Sequence, residues 1–444
     1  MYKIKQVFFK TPYFYIGLII FYLILVLAPN KIIYFTAYPV VAYFFYRHTK
    51  NITSSIVYSL VLAFFSELGI RGNLLVFGIF ILVLLPFALR KKLVSIKPPD
   101  IFIFLFFLWH IVVLVFYPFE QTLYGLLILG EMICLYYLLR VFLIKTDFKI
   151  IPRLFISMLL FQIFLSTLQI LLGHNIGLLT EAATVTYPYG LTATEEENIF
   201  RVTASYAHAN MYAVVLITIL PFLFLYQNWF VYAIRVFWLI NLLFTHARLA
   251  WFFGLLFFGY FTVREYLQNY RRKKLEYLIK IGGIISVIFV FLPFFIVRLF
   301  TIPQAMGDTG SFGFRIKLIQ EAIHIINQSP IIGIGINRFQ EVATANAQTD
   351  IFTFPLVEIS QTSEIHNLFA EIATETGLPA LLLFCLFLLS IYKYYFQFTR
   401  NKTFQYKKYA LIGLTVLLII SQFHPVYLVN QFRLFFLFAA LILV

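Results

Sequence analysis

Long apolar runs separated by short polar breaks dominate the chain. A helical membrane span needs about 20 apolar residues, with about 17 to 25 tolerated. On that ruler fourteen candidate spans emerge, over 11–29, 32–47, 52–70, 73–89, 100–117, 122–144, 152–172, 208–226, 229–244, 247–263, 279–297, 377–396, 408–427 and 430–444. Three of them, 32–47, 229–244 and 430–444, are short, so the pattern predicts about 12 to 14 transmembrane helices. No internal repeat, Gly/Ser linker or separable soluble stretch interrupts it. The expectation is an all-α, polytopic integral membrane protein formed as one domain over 1–444. The first run follows Lys3, Lys5 and Lys10, is too long for a signal-peptide core and lacks a small-residue cleavage site, so it reads as an uncleaved span.

Two of the polar breaks are long, about 173–207 and about 298–376. Loops beyond about 15 residues are functional or disordered more often than they are plain connections. The second is predicted to contain a helix, with Ile319, Ala322, Ile323 and Ile326 on its apolar face and a stop at Ser329-Pro330. Such a helix lies on the membrane surface or packs over the spans.

Composition strengthens the membrane reading. The chain is 62% hydrophobic and 12% charged, with a mean hydropathy of +0.90. A soluble domain carries roughly 25% charged residues, so the apolar excess must face lipid. The net charge of +15 does not indicate nucleic acid, because Lys and Arg cluster between apolar runs rather than along a stripe interleaved with aromatics. With the N-terminus inside, 24 Lys/Arg fall on inner segments and 9 on outer ones, as the positive-inside rule requires. The inner clusters include Arg90-Lys91-Lys92 and Arg271-Arg272-Lys273-Lys274; both long loops fall outside. Cys134 and Cys385 lie within apolar runs, so no disulfide framework is expected.

Four features of the outer side carry candidate chemistry. They are Arg201 to Asn210, with His208 between them; the turn Thr245-His246-Ala247-Arg248; Arg315 followed by Pro330 to Gly335; and His366-Asn367 leading to Glu371, Glu375, Gly377 and Pro379. An arginine near hydrocarbon costs a few kcal/mol, and each one alone reads as an interfacial anchor. Together, Arg201, Arg248 and Arg315 could hold a diphosphate without a metal, because guanidinium forks match phosphate oxygens. His366 is the candidate general base: Ser363 is expected as an N-cap, placing His366 in the first helical turn, where the dipole favours a neutral ring. His208, His246 and His324 share the outer side, so the residues alone do not single out His366. Metal chemistry lacks support, with no HExxH, Cys pair or close Asp pair, and Glu195-Glu196-Glu197 reads as a solvated face. The Gly333-x-Gly335 pair lacks the strand–helix context of a dinucleotide site.

In this order and on one side, the segments resemble the bacterial O-antigen ligase and polysaccharide polymerase superfamily over roughly 200–385. Arg201 to Asn210 matches its Arg-led element opening a span, and Ala247-Arg248 its Ser-Arg turn, with alanine in place of serine. Arg315 with Pro330 to Gly335, and His366 to Gly377, match its outer-loop motifs. The resemblance implies a GT-C-like fold of the cytoplasmic (inner) membrane, with an outward-facing site partly carried by the loop 298–376. The donor would be an undecaprenyl-diphosphate-linked glycan, and the acceptor a glycan or lipid A core. A chain-length regulator is a candidate partner, and no cofactor is implied. Transfer would be metal-independent and inverting: Arg248 and Arg315, with Arg201, neutralise the leaving diphosphate, and His366 deprotonates the acceptor. Asn210, His208, His246, Asn367 and Arg338 complete the expected substrate-binding set. Fourteen spans favour a polymerase over a ligase. A lipid-linked glycan transporter is the alternative of another class; Glu67, His110, Glu131 and Arg235 are its candidates for deep placement.

Overall fold

The computed structural model describes residues 16–17, 19–20, 40–41, 43–65, 95–144, 150–173, 201–204, 206, 209–300, 311–348, 365–398, 405–424, 427 and 432–444. The described elements are helices: α1 (Ile52–Phe65), α2 (Pro98–Phe116), α3 (Glu120–Leu143), α4 (Ile150–Leu172), α5 (Ala209–Leu223), α6 (Trp229–Phe244), α7 (Arg248–Phe300), α8 (Ser311–Gln328), α9 (Phe339–Gln348), α10 (Leu368–Phe398), α11 (Gln405–Ile420) and α12 (Phe432–Leu443). Among the described residues, α2, α3, α4 and α10 are long and apolar enough to cross a membrane; α1, α5, α6 and α12 contain shorter apolar helices. The protein is a polytopic membrane helix bundle. Most of the expected spans 11–29, 32–47 and 73–89 lies outside the described residues, as does Glu67.

The bundle core is aromatic and aliphatic. α10 packs along α2, α12 along α3, and α11 lies between α5 and α12. Phe384 of α10 meets Phe106, Phe432 and Phe435, while Trp238 of α6 stacks on Phe258 of α7. Side chains such as Phe104, Val115, Phe252, Leu382 and Leu389 remain exposed on α2, α7 and α10, as expected where lipid is the solvent.

Several ionisable groups inside the bundle are paired. Arg235 donates to Glu265 at 2.6 Å and to the carbonyls of Leu223 and Tyr226 near the end of α5, at 3.1 and 2.8 Å. Arg433 meets Glu131 at 3.1 Å, and His110 bonds the hydroxyl of Tyr427. At the N-terminus of α2, Asp100 accepts from the Lys97 amide at 2.7 Å, from Tyr136 at 2.6 Å and from Arg140. Lys97 also reaches Tyr394 of α10 and the Leu443 carbonyl of α12. One end of the bundle thus gathers the start of α2 with the ends of α3, α10 and α12.

Three expectations are corrected. The stretches 247–263 and 279–297, expected as spans parted by a loop, lie, apart from Ala247, inside the single helical segment α7. Its polar middle is rich in Arg, Lys, Glu and Leu, good helix formers, and has no Gly or Pro from 260 to 281; charge by itself does not end a helix. Second, the run 408–427 stops being helical at Ile420, and 421–424 form turns before Pro425. Third, α8 forms as expected, but its buried face is Leu318, Ala322 and Ile325, packed with Phe339, Ala343 and Ile365. Ile323 is exposed. α8 carries two isoleucine-bearing faces, and packing against α10 selects the one with small Ala322 at its centre.

Candidate functional site

The site forms at the end of the bundle opposite Lys97 and Asp100, where α10 begins and α11 ends. Its frame is a broken helix. Gly377 has φ 84° and ψ 168°, a conformation essentially reserved for glycine. Pro379 has no N–H for the Glu375 carbonyl, and the Leu378 N–H donates instead to the Pro330 carbonyl at 2.8 Å. The carbonyls left over, those of Thr374 and Glu375, accept from Ile334 and Gly335 N–H at 3.1 and 2.9 Å. Trp109 of α2 donates to the Thr376 carbonyl at 2.8 Å.

Pro330 to Gly335 therefore substitutes for the hydrogen bonds that α10 lacks at its kink, and its glycines are dictated by contact. A Cβ on Gly333 would lie 2.5 Å from the Glu375 backbone, and one on Gly377 would lie 1.9 Å from the Ile331 carbonyl oxygen. The clamp fixes the exit of α8 against the entry of α10.

His366 immediately precedes α10. The helix is capped by Asn367, whose Oδ1 accepts from Ala370 N–H at 2.9 Å. Ser363 lies outside the described residues, and His366 sits before the cap rather than in the first turn, so the expected cap and position are corrected. Asn367 Nδ2 donates to the Gln422 carbonyl at 3.4 Å and Leu368 N–H to the Ser421 carbonyl at 2.9 Å. The start of α10 is thereby fastened to the turn after α11.

A second fastening joins the segment before α5 to the α6–α7 turn. Val202 N–H donates to the Phe244 carbonyl at 3.1 Å. Arg201 donates through Nε to the Thr245 carbonyl at 2.8 Å and through Nη2 to Asn210 Oδ1 at 2.6 Å. Gln169 of α4 clips Thr203 and Ala204 by accepting their N–H groups at 3.1 and 2.9 Å. Asn210 thus orients Arg201. His246 adopts φ 50° in the turn, with its ring 5.6 Å from that of Trp251. Ala247, the alanine that departs from the Ser-Arg turn of the resemblance, is buried, and its N–H donates to Thr245 Oγ1 at 3.4 Å.

These fastenings bring the cations together. Burial and the positive charge of Arg248 both push the Arg315 guanidinium down from its usual range. His424, in the turn after α11, is buried, and its pKa falls to about 3 through burial first, then Arg315, His366 and Arg201. Arg201, Arg248, Arg315, His366 and His424 thus form one basic cluster on five separate segments.

His424 was hidden from the sequence reading inside the run 408–427. The polar string Ser421-Gln422 and the His424-Pro425 pair were the available signals that the helix ends early. Arg338 is engaged with Glu341 at 2.8 Å and the Ile334 carbonyl at 3.2 Å, and lies 3.9 Å over the Phe119 ring. His324 bonds Gln328 on α8. His208 lies outside the described residues. Among the described residues, no group of three His, Cys, Asp or Glu could hold a metal.

Residues 233–385 match the family model described as O-antigen ligase. This stretch is similar to that family over about a third of the chain. It runs from α6 into α10 and carries Arg248, Arg315, the Pro330–Gly335 clamp, Arg338 and His366. Arg201, Asn210 and His424 lie outside the stretch matched to the O-antigen ligase family. The curated proteins contain no match to the chain. The similarity points to a ligase- or polymerase-type function in general, on a multi-pass membrane protein.

Proposed function

We propose that this protein is a glycosyltransferase of the bacterial cytoplasmic membrane that moves a glycan from undecaprenyl diphosphate to an acceptor sugar at the outer face. The observation that carries this reading is the convergence of Arg201, Arg248, Arg315, His366 and His424. A cluster of guanidiniums and imidazoles at membrane level suits an anionic ligand, because guanidinium forks match phosphate oxygens. A lipid diphosphate supplies that charge at membrane level, through oxygens that accept the planar forks.

The chemistry follows from the charges. The acceptor hydroxyl loses its proton to His366 as its oxygen bonds to the anomeric carbon. The bond from that carbon to the diphosphate oxygen breaks, and the diphosphate leaves with the electron pair. Negative charge grows on the leaving group, where the arginines act as a fixed electrostatic partner without a metal. Attack opposite the leaving group inverts the anomeric centre. The expected span count favours a second lipid-linked repeat unit as acceptor, making the enzyme a polymerase of the GT-C type. The description of the matching family favours the ligase alternative, with lipid A core as acceptor. Transport of the same lipid gains no support from the described deep groups, since His110, Glu131 and Arg235 each hold an internal partner.

The test is Arg315→Ala against Arg315→Lys in proteoliposomes with a lipid-linked repeat unit. Removing one charge-stabilising donor costs about 10²–10³-fold in rate, and Arg315→Lys, which keeps the charge but loses the fork, recovers part of it. Wild-type rates in Arg315→Ala would remove the arginine from the reaction. Offering lipid A core and lipid-linked repeats in parallel separates ligase from polymerase.

A further inference from the structure

The turn after α11 is built into the site rather than trailing from a span. Ser421 and Gln422 present their carbonyls to Leu368 N–H and Asn367 Nδ2, so the backbone that carries His424 is held against the backbone that carries His366. His424 is 6% exposed. Its Nε2 is buried, with no hydrogen-bond partner among the described residues. Buried ring nitrogens ordinarily find partners, and one that does not calls for a ligand or another reason. The groups close enough to act on its charge are Arg315, His366 and Arg201.

We propose that His424 is a donor-binding residue whose Nε2–H donates a hydrogen bond to an oxygen of the lipid diphosphate held by Arg201, Arg248 and Arg315. The inference rests on the transferase reading above and adds a ligand contact from a segment outside the family match. Each non-bridging oxygen of a diphosphate accepts more than one hydrogen bond, and Arg201 already spends Nε and Nη2 on Thr245 and Asn210, so a further donor has room beside Arg315 and Arg201. A neutral N–H is the donor that suits that place. A fourth permanent cation would add repulsion in the empty site, whereas burial and the arginines keep His424 uncharged down to about pH 3. His366 and His424 thereby divide the labour: one takes the acceptor proton, and the other holds the leaving group.

The experiment measures binding of undecaprenyl diphosphate to the purified full chain in nanodiscs, with donor and acceptor KM values from proteoliposomes. His424→Leu keeps the bulk and removes the N–H; His424→Gln places an amide N–H near the Nε2 position, and His424→Asn sets it short of that position. A hydrogen bond to a charged group is worth about 10- to 100-fold in affinity. His424→Leu is therefore expected to weaken lipid diphosphate binding by about 10-fold or more and raise the donor KM, with the acceptor KM unchanged. His424→Gln recovers most of the affinity and His424→Asn does not. Unchanged donor affinity in folded His424→Leu, or a loss confined to the acceptor KM, overturns the proposal. Should His424→Leu fail to fold, equal affinities for the Gln and Asn variants overturn it. Arg315→Ala runs alongside: if it too binds like wild type, the diphosphate site itself falls, and not the histidine's part alone.

Discussion

At the scale of residues, the charged side chains at the ends of apolar runs are legible in the sequence, and their partners are not. Arg201, Arg248 and Arg315 stand out because a cation near hydrocarbon is costly. Nothing in the spacing, however, shows that Asn210 serves Arg201. Asn210→Ala removes the acceptor that aims the guanidinium, at 2.6 Å. It should weaken donor binding by less than Arg201→Ala does, and equal losses in a titration of lipid diphosphate would mean that Asn210 touches the ligand itself. His424 escapes the reading because one histidine at the end of an apolar run does not lower its hydropathy enough to end a span. Its burial has a consequence for stability. The unfolded chain protonates this histidine near the ordinary value of 6.5, and the folded chain only near 3. Below pH 6.5 the unfolded state thus binds the extra proton, and stability falls as pH drops toward 3. Melting temperatures between pH 7 and 4 should fall less steeply for His424→Leu; an unaltered slope would show that the ring is not buried neutral.

At the scale of elements, period and length predict where helices lie better than they predict where helices stop. α2, α3, α4 and α6 match the expected spans closely, since their ends coincide with Pro, Gly or polar residues as well as with loss of hydropathy. α7 and α11 miss for opposite reasons: in one a charge run does not break a helix, and in the other an apolar run does not sustain one. The kink of α10 falls at Gly377 and Pro379, residues whose local preferences already favour a break. Its exchange of hydrogen bonds with Pro330–Gly335 is a long-range pairing that no local pattern contains. Gly377→Ala forces a side chain into a conformation costing about 1–3 kcal/mol and into collision with the Ile331 carbonyl. It should lower the melting temperature and transfer together, and Gly333→Ala should do the same. Wild-type thermal stability in Gly377→Ala would show that the kink relaxes without the clamp.

At the scale of the whole molecule, the bundle has two chemically different ends. Lys97, Asp100 and Arg140 gather at one, with the Leu443 carbonyl; the arginine–histidine cluster forms at the other, where the same helices begin or end in the reverse sense. Single cysteines placed at Glu341 and Arg272, with Cys134 and Cys385 replaced, test the proposed orientation. An impermeant thiol reagent should label position 341 in spheroplasts and spare position 272; the reverse pattern would turn the site toward the cytoplasm. The central claim is that the cluster performs glycosyl transfer with His366 as base. Its most direct test is single-turnover transfer of a lipid-linked glycan by His366→Gln, measured beside donor binding. A general base contributes about 10²–10⁴-fold, so the rate should fall by that factor while undecaprenyl diphosphate still binds as to wild type. Transfer within a few-fold of wild type would contradict the account and leave His366 a structural residue ahead of α10.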